Sequence, residues 1–207
     1  YPLKSVTKSQ KVTVTFKKSN TTKNWNNPFT DVSATDSYYS AVKFVYENNL
    51  FKGTTTTKFG PDTTMTRAMF VTVLGRLAGV DVSRFKTSSY SDVPINATTT
   101  WYAPYVEWAT QMGLVEGYGD GTFGPDNKIT HQQMYVLMYK YSIFVENKKT
   151  NISGTSINAS DAEEVADWAK DAVKYASQQN FLVKVGTSSR INPTGEAKRS
   201  ELAQLLE

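Results

Sequence analysis

Val42 and Val45, Val106 and Ala109, and Val173 and Ala176 stand three residues apart among polar neighbours. That spacing marks one buried face of an amphipathic helix, and it predicts helices over 37–48, 101–112 and 162–179 with these positions in the core. A second set of helices is predicted over 66–79, 130–145 and 198–207. Thr66 and Thr130 open two of them and are expected to cap them, each hydroxyl satisfying a free backbone donor of the first turn. Between the two helices of each pair lies a stretch of about a dozen residues rich in Gly, Asp, Asn and Pro, long for a helix connection. Residues 11–18 alternate instead, with Val12, Val14 and Phe16 on one face. They read as a strand followed by a Ser, Thr, Asn and Lys linker up to Pro28, either the end of a preceding β domain or a strand packed on the helical body.

The pattern repeats. Gly-Leu-Val-Glu-Gly at 113–117 matches Asn-Leu-Phe-Lys-Gly at 49–53, and Phe-Gly-Pro-Asp at 123–126 matches 59–62. A looser third copy runs through Asn180, Arg190-Ile-Asn-Pro193 and Lys198-Arg-Ser-Glu-Leu202. An Asp motif precedes each copy, at Asp31, Asp92 and Asp161. The chain therefore divides into 1–28 and three units, 29–88, 89–150 and 151–207, each an Asp motif, a helix, a Gly/Pro loop and a helix. Units this small bury a core poorly alone, so one composite domain built by stacking them is expected.

Composition narrows the function. No apolar run approaches the roughly 18 residues needed to cross a bilayer. Zero cysteines exclude disulfides, thiolate catalysis and zinc–thiolate sites, and one histidine excludes a His-based metal cluster. A net charge of +4 and a pI near 9.0 favour an anionic partner such as nucleic acid, anionic lipid or an acidic wall polymer. Because the first residue is Tyr, with no initiator Met or leader, the chain reads as a mature piece of something longer.

The run Gly-Tyr-Gly-Asp-Gly-Thr-Phe-Gly-Pro at 117–125, the Asp-Val before an aromatic helix, and the Thr-Arg-Ala-Met of 66–69 opening the closing helix resemble the S-layer homology family, in its usual triplet, over 29–207. The resemblance implies a mostly α fold in which three helix-loop-helix repeats form one pseudo-threefold bundle, a three-pronged spindle. It further implies grooves between repeats that hold secondary cell-wall polysaccharide, often bearing pyruvate ketals, and so moor an extracellular protein to the bacterial wall or S-layer without catalysis, cofactor or metal. The family's arginine falls at Arg67 and Arg199, preceded by Thr66 and Lys198, and its place in the second repeat is taken by His131. An Arg in the first turn of a helix, beside unpaired backbone N–H groups and the positive end of the dipole, suits a carboxylate such as pyruvate; the alternative is a solvated or ion-paired Arg. Neutral His131 would supply only a hydrogen bond, so its site is expected to bind weakly or at lower pH, or to be structural.

The resemblance puts the family's tryptophan at Trp101 and Trp168, and Ser37 in its place in the first repeat. Such an indole either stacks on a sugar ring or fills the space between repeats. Trp108 reads as packing, and Phe59 and Phe123 as core plugs. Gly53 and Gly117 match a glycine that lets ligand approach the main chain, or else serve as turn or helix-end glycines; the third repeat has Lys184 there and a shortened loop through Gly186. Asp31, Asp92 and Asp161 would accept sugar hydroxyls or cap the helices that follow. No P-loop, His-Glu-x-x-His, Gly-x-Ser-x-Gly or calcium-loop spacing occurs. The reading is a non-catalytic wall anchor; self-assembly of a surface layer is the alternative, and nucleic acid is disfavoured because the basic residues do not cluster on one helix.

Overall fold

The computed structural model describes residues 25–96, 98–182 and 190–207; the strand predicted over 11–18, Lys184 and Gly186 lie outside them. The described residues form six α-helices: α1 (Tyr39–Glu47), α2 (Arg67–Leu77), α3 (Ala103–Gln111), α4 (His131–Phe144), α5 (Lys170–Gln178) and α6 (Arg199–Leu206). Isolated bridges, with no strand or sheet, are the only β structure among the described residues. The six periodic positions that predicted α1, α3 and α5 are all buried.

One predicted helix is broken. Over 162–179 the chain makes two 3-10 turns, Ala162–Glu164 and Asp167–Ala169, before α5 begins at Lys170. Val165 and Ala166 between them are extended, with ψ of 123° and 145°. Val165 is buried, and the Ala166 amide donates to Oε1 of Gln132 on α4 at 3.0 Å, so tertiary contacts outweigh helix propensity at this point.

The first helix of each repeat ends alike. Asn49, Gly113 and Asn180 have φ of 57°, 70° and 60°. The next residue's amide reaches back to the helix, Leu50 to the Val45 carbonyl, Leu114 to Ala109 and Phe181 to Ala176, which satisfies carbonyls that would otherwise lack a donor. The second helices open on caps. The hydroxyl of Thr66 accepts from Met69 N, and Thr130 forms a reciprocal box with Gln133. Lys198 has no side-chain oxygen to accept, so only the Glu201 half of that box is made, its Oε2 taking the Lys198 amide at 2.6 Å.

Helices pair across repeats. α2 packs on α3, α4 on α5, and α6 on α1, so the first repeat touches the second, the second the third, and the third the first. Glycine allows one of these approaches, since a Cβ on Gly75 of α2 would lie 2.4 Å from the ring of Tyr105 on α3. At the centre, the buried residues just before the second helices are joined in a closed circuit: Met65 N donates to Ala197 O, Ala197 N to Ile129 O, and Ile129 N to Met65 O. Around it run Phe59, Phe123, Phe70, Leu74, Met134 and Leu202, all with almost no exposure.

Candidate functional site

The three Asp residues hold the loops. Both carboxylate oxygens of Asp31 accept backbone amides, Phe59 N at 2.8 Å and Gly60 N at 2.9 Å. Asp92 takes Phe123 N and Gly124 N, and Asp161 takes Ile191 N and Asn192 N, each between 2.7 and 3.0 Å. Burial alone would raise the pKa of Asp31 and Asp161; the two amides outweigh it and hold both below the ordinary carboxylate value. None of the three caps an α-helix through its side chain.

The expectation that the second helices open on unpaired amides is corrected. Arg67 N and Ala68 N donate to the carbonyls of Asn127 and Pro125, His131 N and Gln132 N to Gly195 and Pro193, and Arg199 N and Ser200 N to Thr63 and Pro61. Each helix start is plugged into the neighbouring repeat's loop, which removes those amides from any ligand. The first side chain of the helix reaches further under the same loop. Arg199, 6% exposed, donates from Nε to Phe59 O at 2.9 Å and from Nη2 to Lys52 O, with its guanidinium over the rings of Phe51 and Phe59. Arg67 does the same in the second repeat, to Phe123 O and Glu116 O, over Tyr118 and Phe123.

His131 takes a shorter reach. Its Nδ1 lies 2.8 Å from Asn192 O and its Nε2 2.9 Å from Oε2 of Glu201. Both neighbours are acceptors, so both ring nitrogens are satisfied only when protonated. Burial would lower the pKa of His131, but Glu201 and the Asn192 carbonyl outweigh it and raise it above 6.5; burial likewise opposes, without reversing, the lowering of Glu201 by His131. The charge of His131 is thus directed at Glu201. The His131 contribution to stability is complete below 6.5 and is lost as pH rises through the raised folded value; that of Glu201 is present above 4.5 and lost as pH falls through its lowered one. Thermal unfolding at pH 6 and pH 9 is expected to show the wild type losing stability relative to His131→Arg at the higher pH; parallel curves would remove the charge from this seam.

Gly53, Trp101 and Arg199 meet in one place, a cavity of about 720 Å³ between the first and second repeats. Gly53 is required by close approach, since a Cβ would fall 2.2 Å from Thr55 O and 2.8 Å from the Phe29 ring; Gly117 is hemmed in the same way by Thr122 O and Tyr90. Trp101 is 45% exposed on the rim, with the guanidinium of Arg76 5.9 Å from its ring centroid. Trp168 is 59% exposed, whereas Trp108 is buried in the core as expected. Thr66 and Lys198 stay at their helix starts, Thr66 as a cap and Lys198 with Nζ 2.8 Å from Asp62.

Sequence reasoning missed Arg76. It donates from Nη1 to Leu50 O at 2.9 Å and lines the cavity beside Arg199. Its signal was positional: Arg76 stands nine residues after Arg67, and Lys140 stands nine after His131. Four cations line the cavity, Lys52, Arg76, Lys86 and Arg199, and no Asp or Glu does. No carboxylate pairs with any of the four among the described residues. Burial pulls the pKa of Arg199 down to about 10; Asp31 opposes this, and the like charge of Arg76 adds to it. The described residues hold no group of His, Asp or Glu arranged for a metal, and no helix long and apolar enough to cross a membrane.

The chain matches the S-layer homology domain in three places, 28–69, 89–134 and 160–203. It belongs to that family. Among its relatives, an endoglucanase of Bacillus sp. (strain KSM-635) is 27% identical over 86% of this chain and 18% of its own length. The S-layer protein sap of Bacillus anthracis is 24% identical over 86% of this chain and 20% of its own. A cellulosome-anchoring protein of Acetivibrio thermocellus is 25% identical over 72% of this chain and 32% of its own. The chain spans less than a third of each. With such relatives the family defines an anchoring module of the cell surface rather than a catalytic one.

Proposed function

We propose that this chain moors a longer surface protein to the bacterial cell wall by holding an acidic wall polysaccharide, pyruvylated on the sugar it reads, in the groove between the first and second repeats. The observation that carries the reading is the cavity lined by four cations that, among the described residues, have no ion pair, and by no carboxylate, with an exposed indole on its rim. Asp31 lies behind Arg199 and outside the lining, so an anion entering the cavity meets Lys52, Arg76, Lys86 and Arg199 with no acidic side chain on the wall to repel it. A pyranose face on Trp101 supplies the apolar half of the contact. Arg76, with one hydrogen bond to the main chain, has donors left for a carboxylate, while Arg199 spends two on the loop. The three repeats, closed by their central circuit of hydrogen bonds, would stand as the prongs of a pseudo-threefold spindle, with Trp168, Gly117 and Arg67 at the corresponding second groove.

Attachment to protein-free cell walls tests this. Arg76→Gln and Trp101→Ala are each expected to weaken attachment about tenfold or more; Trp101→Ala is expected to leave the thermal midpoint little changed, and Arg76→Gln, which gives up one bond to Leu50 O, to lower it less than the loss of both Arg199 bonds would. Removal of pyruvate from the wall is expected to have the same effect on the wild type. Full attachment by Arg76→Gln, or to pyruvate-free walls, would sink the carboxylate reading.

A further inference from the structure

His131 is the only histidine in the chain, and it stands where the other two repeats carry Arg67 and Arg199. Those arginines hold main-chain carbonyls and keep their charge through the neutral range. His131 titrates there, and it meets a carboxylate that is tied to the start of α6. Oε2 of Glu201 takes both His131 Nε2, at 2.9 Å, and the Lys198 amide, at 2.6 Å. Lys198 in turn sends its ammonium to Asp62 of the first repeat, at 2.8 Å. His131, Glu201, Lys198 and Asp62 therefore make one line of alternating charge that runs from the second repeat through the third to the first.

The links of this line are unequal. The Glu201 side chain is 15% exposed and that of Asp62 81%. An exposed ion pair contributes little, whereas a largely buried carboxylate deprived of its counter-ion costs much more. When His131 loses its proton, one of its nitrogens turns a lone pair to an acceptor, and Glu201 loses the charge it faced. The Lys198 ammonium already acts on Glu201 through space, and the two stand three residues apart at a helix start, a spacing at which side chains meet. Of the other acids at this seam, Glu196 is exposed and Asp161 spends both oxygens on the amides of Ile191 and Asn192. We infer that the line is a proton-operated switch. With His131 charged, Glu201 is held to the second repeat and Lys198 to the first; with His131 neutral, Lys198 leaves Asp62 for Glu201, and the third repeat loosens its hold on both neighbours at once. The proton passes to solvent and no covalent bond changes. Because Glu201 and the Asn192 carbonyl raise His131 above its ordinary value, the ring is tight in acid and looser in mild alkali. The switch stands whether or not the groove between the first and second repeats binds a wall polymer.

Nuclear magnetic resonance between pH 6 and pH 9 reads the switch on the wild type, with a single imidazole to follow. The side-chain carboxyl carbon of Asp62 is expected to show, besides its own titration in acid, a second step at the midpoint of His131. Amide exchange is expected to respond at two seams. From pH 6 to pH 9 the amides of His131 and Gln132, and those of Arg199 and Ser200, speed up about fivefold relative to Arg67 and Ala68, whose seam is latched by a group that does not titrate there. In His131→Arg both responses are expected to disappear. In Lys198→Met the Asp62 step and the Arg199 and Ser200 response are expected to go, and the His131 and Gln132 response to remain. An Asp62 carboxyl that stays flat through the His131 titration, or a step that survives in His131→Arg, overturns the exchange of partners. An imidazole that does not titrate in this range, or equal changes in exchange at all three seams, overturns the switch altogether.

Discussion

Arg199→Ala is expected to destabilise the protein by about 3 kcal/mol and to lower its thermal midpoint by roughly 10 °C. The substitution leaves the carbonyls of Phe59 and Lys52 without their donors and strips the cation from the faces of Phe51 and Phe59. Each orphaned acceptor costs about 1–3 kcal/mol unless water enters, and the ring contacts add about 1 more. Wall attachment falls with it, because the Gly53 loop is one wall of the groove and Arg199 holds it from below. The contrast with Arg76→Gln, which gives up one carbonyl bond where Arg199→Ala gives up two and is expected to lose attachment at a smaller cost in stability, separates a latch from a ligand contact. Unfolding curves and wall sedimentation on the two variants make the comparison. An unchanged midpoint in Arg199→Ala would show that the latch carries no weight.

Gly53→Ala is expected to cost about 3 kcal/mol, more than a methyl group ordinarily does on a half-buried loop. The new Cβ meets main-chain oxygens at 2.2 Å from Thr55 and 2.7 Å from Lys58, and backbone cannot swing aside as a side chain does. The loop must open, and with it the cavity wall. Gly113 supplies the control. Nothing lies within 4 Å of a Cβ there, and its φ of 70° is the whole constraint. Gly113→Ala is expected to cost about 1 kcal/mol and Gly113→Asn less, since Asn49 and Asn180 hold the same place in the other repeats. Differential scanning calorimetry of the three variants tests the ordering; equal midpoints for Gly53→Ala and Gly113→Asn would refute the steric account.

What the sequence made legible was whatever depends on period and on repetition. Val42, Val106 and Val173 marked their buried faces because a helix places every third or fourth residue on one side. Thr66 and Thr130 announced caps through a local bond three residues long. The partners of those elements were not legible. A helix-loop-helix unit suggests that its two helices pack together, and here α2 packs on α3 of the next repeat, a choice no local pattern encodes. The break at Val165 and Ala166 depends on Gln132, some 34 positions earlier in the chain. Arg67 and Arg199 stood out by motif, but their carbonyl partners lie 49 to 147 residues away in sequence. Arg76 escaped notice because a cation near a helix C-terminus is ordinarily explained by the dipole alone. Lys86 sits in a connector that does not repeat, where comparison of one copy with another has nothing to work on.

The circuit joining Met65, Ala197 and Ile129 sets a rule about number. In an open array of repeats a unit can be lost or gained at either end, and the rest keeps its contacts. Here every unit gives one hydrogen bond to a neighbour and takes one from the other, so removing any of them leaves a buried donor and a buried acceptor stranded at once. Two repeats are not two-thirds of this protein. Unfolding is accordingly expected in a single step, and a duplication that lengthens such an anchor yields another working unit only when it copies all three repeats together.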